Sequence, residues 1–95
     1  MPKIFFHFHT NLYVAIEKDI AFLKGFGKQL KKLRQEKGIS QAQLAYEANI
    51  EISQISRIER GLINTTIANA KLISKILDIP ITKLFEFDIE SKSPN

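Results

Sequence analysis

The 95-residue chain contains no cysteine. Disulfides and thiolate metal sites are therefore excluded, and an intracellular, reducing setting such as the cytoplasm fits the composition. No apolar run approaches the ~18 residues that a membrane span requires, so no membrane role is expected. The opening stretch, Met1-Pro2-Lys3-Ile4-Phe5-Phe6-His7-Phe8-His9, is only briefly apolar and has no small-residue cleavage site behind it. It does not read as a signal peptide. There is no internal repeat and no sign of a second domain. The enzyme class has little behind it either. The region that should fold has no histidine near a serine, no glycine-rich phosphate loop and no paired carboxylates on one face. His7 and His9 would share a face of a strand, but no acidic or cysteine partner accompanies them, so neither a metal nor a cofactor is expected.

A hydrophobic fraction of 44% is enough for one domain with a modest core. Fourteen Lys plus Arg against ten Asp plus Glu give a net charge of +4, which permits a polyanionic partner without requiring one. Residues 1–18 are set apart as an N-terminal arm. Within them Lys3 to Thr10 alternate as a strand would, with Ile4, Phe6 and Phe8 against Phe5, His7 and His9. A lone strand needs a partner edge, so it either pairs with its mate in a dimer or stands free as an extension.

From Ile16 the period becomes helical. Ile16, Ile20, Leu23, Gly27, Leu30 and Leu33 form one stripe, and the helix should end near Gly38, with Gly25 and Gly27 expected to loosen it. Lys24, Lys28, Lys31, Lys32 and Lys37 occupy its polar side, whereas Arg34 sits at the edge of the stripe. Partly buried there, Arg34 would need a carboxylate.

The densest signals lie between Ser40 and Gly61. Ser40 and Gln43 mark the start of a short helix carrying Leu44, Ala45 and Ala48 inward. Asn49 suits a left-handed corner. A second helix over about 52–60 stops at Gly61, with Ile55, Ile58 and Leu62 on one side and Ser53, Ser56, Arg57 and Arg60 on the other. Beyond a loop, Thr66 caps a helix over Ile67–Leu77 whose inner face is Ile67, Ala70, Ile73 (with Leu72) and Leu77. Pro80 then opens a last short helix bearing Ile81, Leu84 and Phe85. The domain thus spans 19–87, and 88–95 is a flexible tail.

From Phe26 to Phe85 these features resemble the lambda-repressor-like (XRE-type) helix-turn-helix domains. The resemblance rests on Leu33-Arg34, Lys37-Gly38-Ile39-Ser40-Gln41, Leu44-Ala45, Ile55-Ser56-Arg57-Ile58-Glu59-Arg60-Gly61, Leu77-Asp78-Ile79 and Leu84-Phe85. It implies an all-α fold of five helices, with the N-terminal arm added. It also implies a sequence-specific transcriptional regulator that binds a double-stranded DNA operator as a homodimer. On this pattern Arg34 pairs with Glu59, and Gln41 donates to a phosphate. Ile52, Ser53, Ser56 and Arg57 face bases, Arg57 having the fork that matches guanine. Gln54, Arg60 and Asn64 are placed for phosphates. Glu51, Thr65 and Asp78 depart from the pattern, standing where a shorter capping residue, a proline and a glycine are usual. Two alternatives carry different partners: an antitoxin or restriction-modification controller of the same fold, and a helical module that binds protein.

Overall fold

A computed structural model describes the backbone of residues 2–89 and the side chains of residues 19–89. Four α-helices follow one another: α1 (Pro2–Glu36), α2 (Gln41–Ala48), α3 (Ile52–Glu59) and α4 (Ile67–Ile76). A 3-10 turn, Ile81–Phe85, closes the chain. The described residues contain no strand.

The arm is where the sequence expectation fails. Lys3 to Thr10 is helix, and α1 runs unbroken through the proposed boundary at residue 18. The reason lies in competing spacings. The alternation Ile4, Phe6, Phe8 lasts only three residues, whereas Ile4, Phe8, Leu12, Ile16 and Ile20 recur at four-residue intervals. Pro2 also suits a first helical turn, and helix formation leaves no sheet edge to be matched. The side chains of His7 and His9 lie outside the described residues, as do residues 90–95, on which most of the expected tail falls.

The expected fifth helix is the 3-10 turn. Only five residues separate Pro80 from Glu86, too few for a ladder of i→i+4 bonds, so i→i+3 bonds form instead. Lys83 N donates to Pro80 O at 3.0 Å, and Glu86 N to Lys83 O at 3.3 Å.

Short-range chemistry sets the other ends. Ser40 Oγ accepts from Gln43 N at 3.0 Å to open α2, and Thr66 Oγ1 accepts from Asn69 N at 3.0 Å to open α4. Asp78 stands at φ 55, the left-handed position after α4 for which glycine would carry less strain.

The core takes side chains from every element. Leu30, Leu44, Ile55, Ile58, Ile73, Leu77 and Leu84 are fully buried, with Phe26, Leu33, Ala45 and Ala70 around them. Four residues expected inside are not. Leu62 is 60% exposed because the chain leaves the α3 wheel at Gly61, where φ is 73. Ile67 is 86% exposed at the first position of α4, and Leu72 lies across that helix from Ile73 and Leu77. Ile20 lies upstream of the packed part of α1 and is also exposed.

Two contacts hold the C-terminal turn to α1. Gln29 Nε2 donates to Lys83 O at 2.8 Å. Phe22 and Phe26 pack on Phe85 with ring centroids 6.4 and 5.3 Å apart, and Phe22 meets Phe87 at 5.4 Å.

Gly27 does not loosen α1. It lets α3 approach, since a Cβ there would strike the carbonyl oxygens of Ile58 and Glu59. In an open helix Gly→Ala gains ~1 kcal/mol, whereas backbone atoms at this contact cannot rotate away. Gly27→Ala is therefore expected to lose about 1–3 kcal/mol, the usual cost of overpacking. Urea unfolding followed by helical circular dichroism measures this, and a rise in the midpoint would contradict it.

Candidate functional site

The second and third helices meet at a corner made by Asn49, which holds φ 55 and ψ 45 and lets its N–H return to Tyr46 O at 3.2 Å. Asn tolerates this left-handed backbone better than most residues. Glu51 then opens α3 with no side-chain cap bond. At the other end Gly61, with φ 73, stops the helix, and Leu62 N closes onto Arg57 O at 2.9 Å.

One buried cluster fixes α3 against its neighbours. Arg34 Nε donates to Glu59 Oε2 at 2.6 Å, and Arg34 Nη2 to Glu59 Oε1 at 2.9 Å. Arg34 Nη1 reaches Ile39 O at 2.9 Å, so the guanidinium also holds the loop between α1 and α2. Gln41 Nε2 donates to the same Glu59 Oε1 at 2.9 Å. A single carboxylate on α3 thus collects donors from α1 and α2. Both charged side chains are buried. The hydrogen bond that Arg34 donates to Glu59 raises the Arg34 pKa above its ordinary value, burial opposes this, and the negative charge of Glu59 raises it further. Arg34 therefore stays charged, and the fork makes the contact directional.

With Ile55, Ile58 and Glu59 turned inward, the opposite side of α3 faces out. Ser53, Arg57 and Arg60 are exposed and Ser56 is half-buried, and the four share one surface. Arg60 Nε bends back to Ser56 O at 3.4 Å. Ile52, half exposed, stands at the leading end of the same helix. Gln41 is half-buried, so its amide is shared between Glu59 and the surface.

The two remaining residues lie elsewhere. Gln54 turns toward a shallow polar depression lined by Tyr46, Asn49, Glu51 and Asn69. Asn64 lies beyond Gly61, where its Oδ1 accepts from Thr65 N at 3.1 Å, and it borders an apolar groove with Phe22, Ile67 and Phe85. The side position of Gln54 and the change of direction at Gly61 take them off the outward face.

Sequence reasoning also missed Lys24 as a neighbour of α3. A Cβ on Gly61 would come within 2.7 Å of Lys24 Cα. The signal available was the pair of glycines, Gly27 and Gly61, which mark where two helices approach closely.

A short helix set against the domain, a tight corner, and a second helix with an outward face of hydroxyls and guanidinia define a helix-turn-helix unit. The chain belongs to the helix-turn-helix family of the XRE type (HTH_3), whose model matches residues 30–84. It is 40% identical over 68 residues to control protein C.MunI of a Mycoplasma species, an alignment covering 70% of this chain and 90% of that one. The fold is similar to the restriction-modification controller protein C.AhdI of Aeromonas hydrophila, at 36% identity and a TM-score of 0.64 over 66% of this chain and 96% of the other. It is also similar to SinR of Bacillus subtilis, the master regulator for biofilm formation, solved in complex with DNA. That match has 35% identity and a TM-score of 0.61 over 64% and 98% of the two chains.

Removing Arg34 alone leaves Glu59 charged and buried. Arg34→Met is expected to cost about 3–5 kcal/mol, while the double change with Glu59→Leu should recover most of it, because an apolar pair needs no compensation. Denaturant midpoints of the two single variants and the double variant test this coupling. Additive losses would show that the two side chains do not act as a pair.

Proposed function

We propose that the chain is a sequence-specific DNA-binding transcriptional regulator of the XRE type, acting in the cytoplasm by binding and not by catalysis. The observation that carries this reading is the division of α3. Its inner side is locked by Ile55, Ile58 and Glu59, which leaves Ser53, Ser56, Arg57 and Arg60 on one exposed face. Such a face on a rigid helix fits the major groove, which admits one helix and presents a distinct donor and acceptor pattern for each base pair. The solved complex of SinR with DNA supports the same partner class.

In this mechanism Arg57 reads a guanine through O6 and N7, Ser53 and Ser56 contact neighbouring base edges, and Ile52 touches a thymine methyl group. Arg60 and Gln41 grip phosphates and set the register of the domain. Gln54 and Asn64, off the central face, meet the backbone at its margins. A homodimer presents two such helices about one DNA turn apart, ~34 Å, and so favours a nearly palindromic operator. Phe22, Ile67 and Phe85 stand exposed around one apolar groove that a second copy could cover.

A restriction-modification controller is a second form of this reading. It is favoured by extent of match: the aligned segment takes in 90% of the whole of C.MunI but 55% of the whole of SinR.

The test begins with site selection from random duplex DNA, followed by mobility shift on the selected sequence. Arg57→Ala should lose about 1–3 kcal/mol of discrimination, roughly a five- to hundredfold fall in preference for the selected site. Arg60→Ala should weaken selected and unrelated sequences alike. Unchanged binding by both variants would falsify this docking.

A further inference from the structure

We propose that Lys24 and Lys31, on the flank of α1 that borders the end of α3, hold the phosphates of the DNA strand beside the groove that α3 enters. The inference rests on the DNA reading above and extends the contact surface to a second element.

The two lysines bracket the place where α1 and α3 touch. Lys24 lies against Gly61, the residue after Arg60, and its backbone N would be 2.9 Å from a Cβ added there. Gly27, one turn further along α1, meets the carbonyls of Ile58 and Glu59. Lys31 follows Gly27 by four residues and precedes Arg34 by three, so it lies one turn from each. Lys24, Lys28 and Lys31 recur at intervals of four and three, which places them on one stripe. That stripe continues the positive charge of Arg57 and Arg60 around the edge of the domain.

Its charge pattern differs from that of an ordinary solvated helix face. A carboxylate three or four residues from a lysine compensates its charge on an exposed helix face. Around Lys24 those positions are Ile20, Ala21, Gly27 and Lys28, and around Lys31 they are Gly27, Lys28, Arg34 and Gln35. None is acidic. The ion pairs of Arg34 with Glu59 and of Lys83 with Glu86 involve neither Lys24 nor Lys31. Neither Lys24 nor Lys31 therefore has a carboxylate one turn away on its own helix. From Lys24 to Lys31 the helix rises about 10 Å at 1.5 Å per residue.

Phosphate contacts reveal themselves through released counterions. With a long mixed-sequence DNA duplex as probe, binding is measured across a salt series for the full chain and for variants of it. Each lysine that meets a phosphate contributes about 0.9 to the slope of log K against log salt. Lys24→Gln with Lys31→Gln is expected to reduce that slope by about 1.8, and the conservative pair Lys24→Arg with Lys31→Arg to keep it. Preference for the selected site over the mixed duplex should stay within twofold in both. Lys83→Gln, on the opposite flank of α1, should leave the slope in place. A glutamine pair that binds with an unchanged slope overturns the proposal and returns the stripe to solvent. An unchanged slope together with weakened self-association overturns it in favour of an acidic protein surface. Absence of any DNA binding by the unaltered chain is a separate result, since it removes the functional reading on which this one stands.

Discussion

The buried carboxylate of Glu59 is the point on which the geometry of this domain turns. Two donors from Arg34 and one from Gln41 converge on it, so three helices are referenced to a single group. The value of such a pair does not lie in net stability. Desolvating a guanidinium and a carboxylate costs several kcal/mol per ion by common estimates, about what their attraction returns. Its value is angular. Planar guanidinium and planar carboxylate meet well in few orientations, whereas aliphatic contacts alone tolerate sliding. The cluster therefore specifies the angle of α3 to α1, and the surrounding aliphatic side chains supply the free energy that holds it there.

Packing around that point depends on small residues as much as on large ones. Ala45 is buried where α2 meets the core, and Gly27 brings the backbone of α1 against the last carbonyls of α3. These approaches shorten the reach required of Arg34 and Gln41. At the far side of α1 the aromatic rings of Phe22, Phe26, Phe85 and Phe87 hold the C-terminal turn, which seats Leu84 in the core. The domain thus clasps α1 from two flanks, one polar and directional, the other aromatic and adaptable.

What could be read from the sequence follows the range of the interaction concerned. The caps at Ser40 and Thr66 and the corner at Asn49 involve residues three or four apart, and their chemistry is written locally. The inward set Leu44, Ile55, Ile58 and Ile73 follows from a helical wheel. The arm did not follow, because a brief alternation of aromatic residues can mimic a strand while the four-residue spacing runs beneath it. Leu62 was misplaced for a related reason: a wheel does not register the turn at Gly61. A need for a carboxylate near Arg34 was legible from its place at the edge of an apolar stripe. Which carboxylate, 25 residues away, came from the family pattern and not from periodicity. The nearness of Lys24 to the end of α3 is a tertiary fact that no local pattern carries.

The division of α3 has a consequence for how such a domain changes over generations. Ile55, Ile58 and Glu59 answer to the fold, while Ser53, Arg57 and Arg60 touch little of their own chain and answer to whatever lies outside it. Replacements at the exposed positions alter the surface on offer and leave the packing that orients it. Exposed helix positions of this kind usually shift stability by no more than about half a kcal/mol. The helix can therefore acquire a different preference without passing through an unfolded intermediate sequence, and copies of one gene can diverge in target while keeping the same frame.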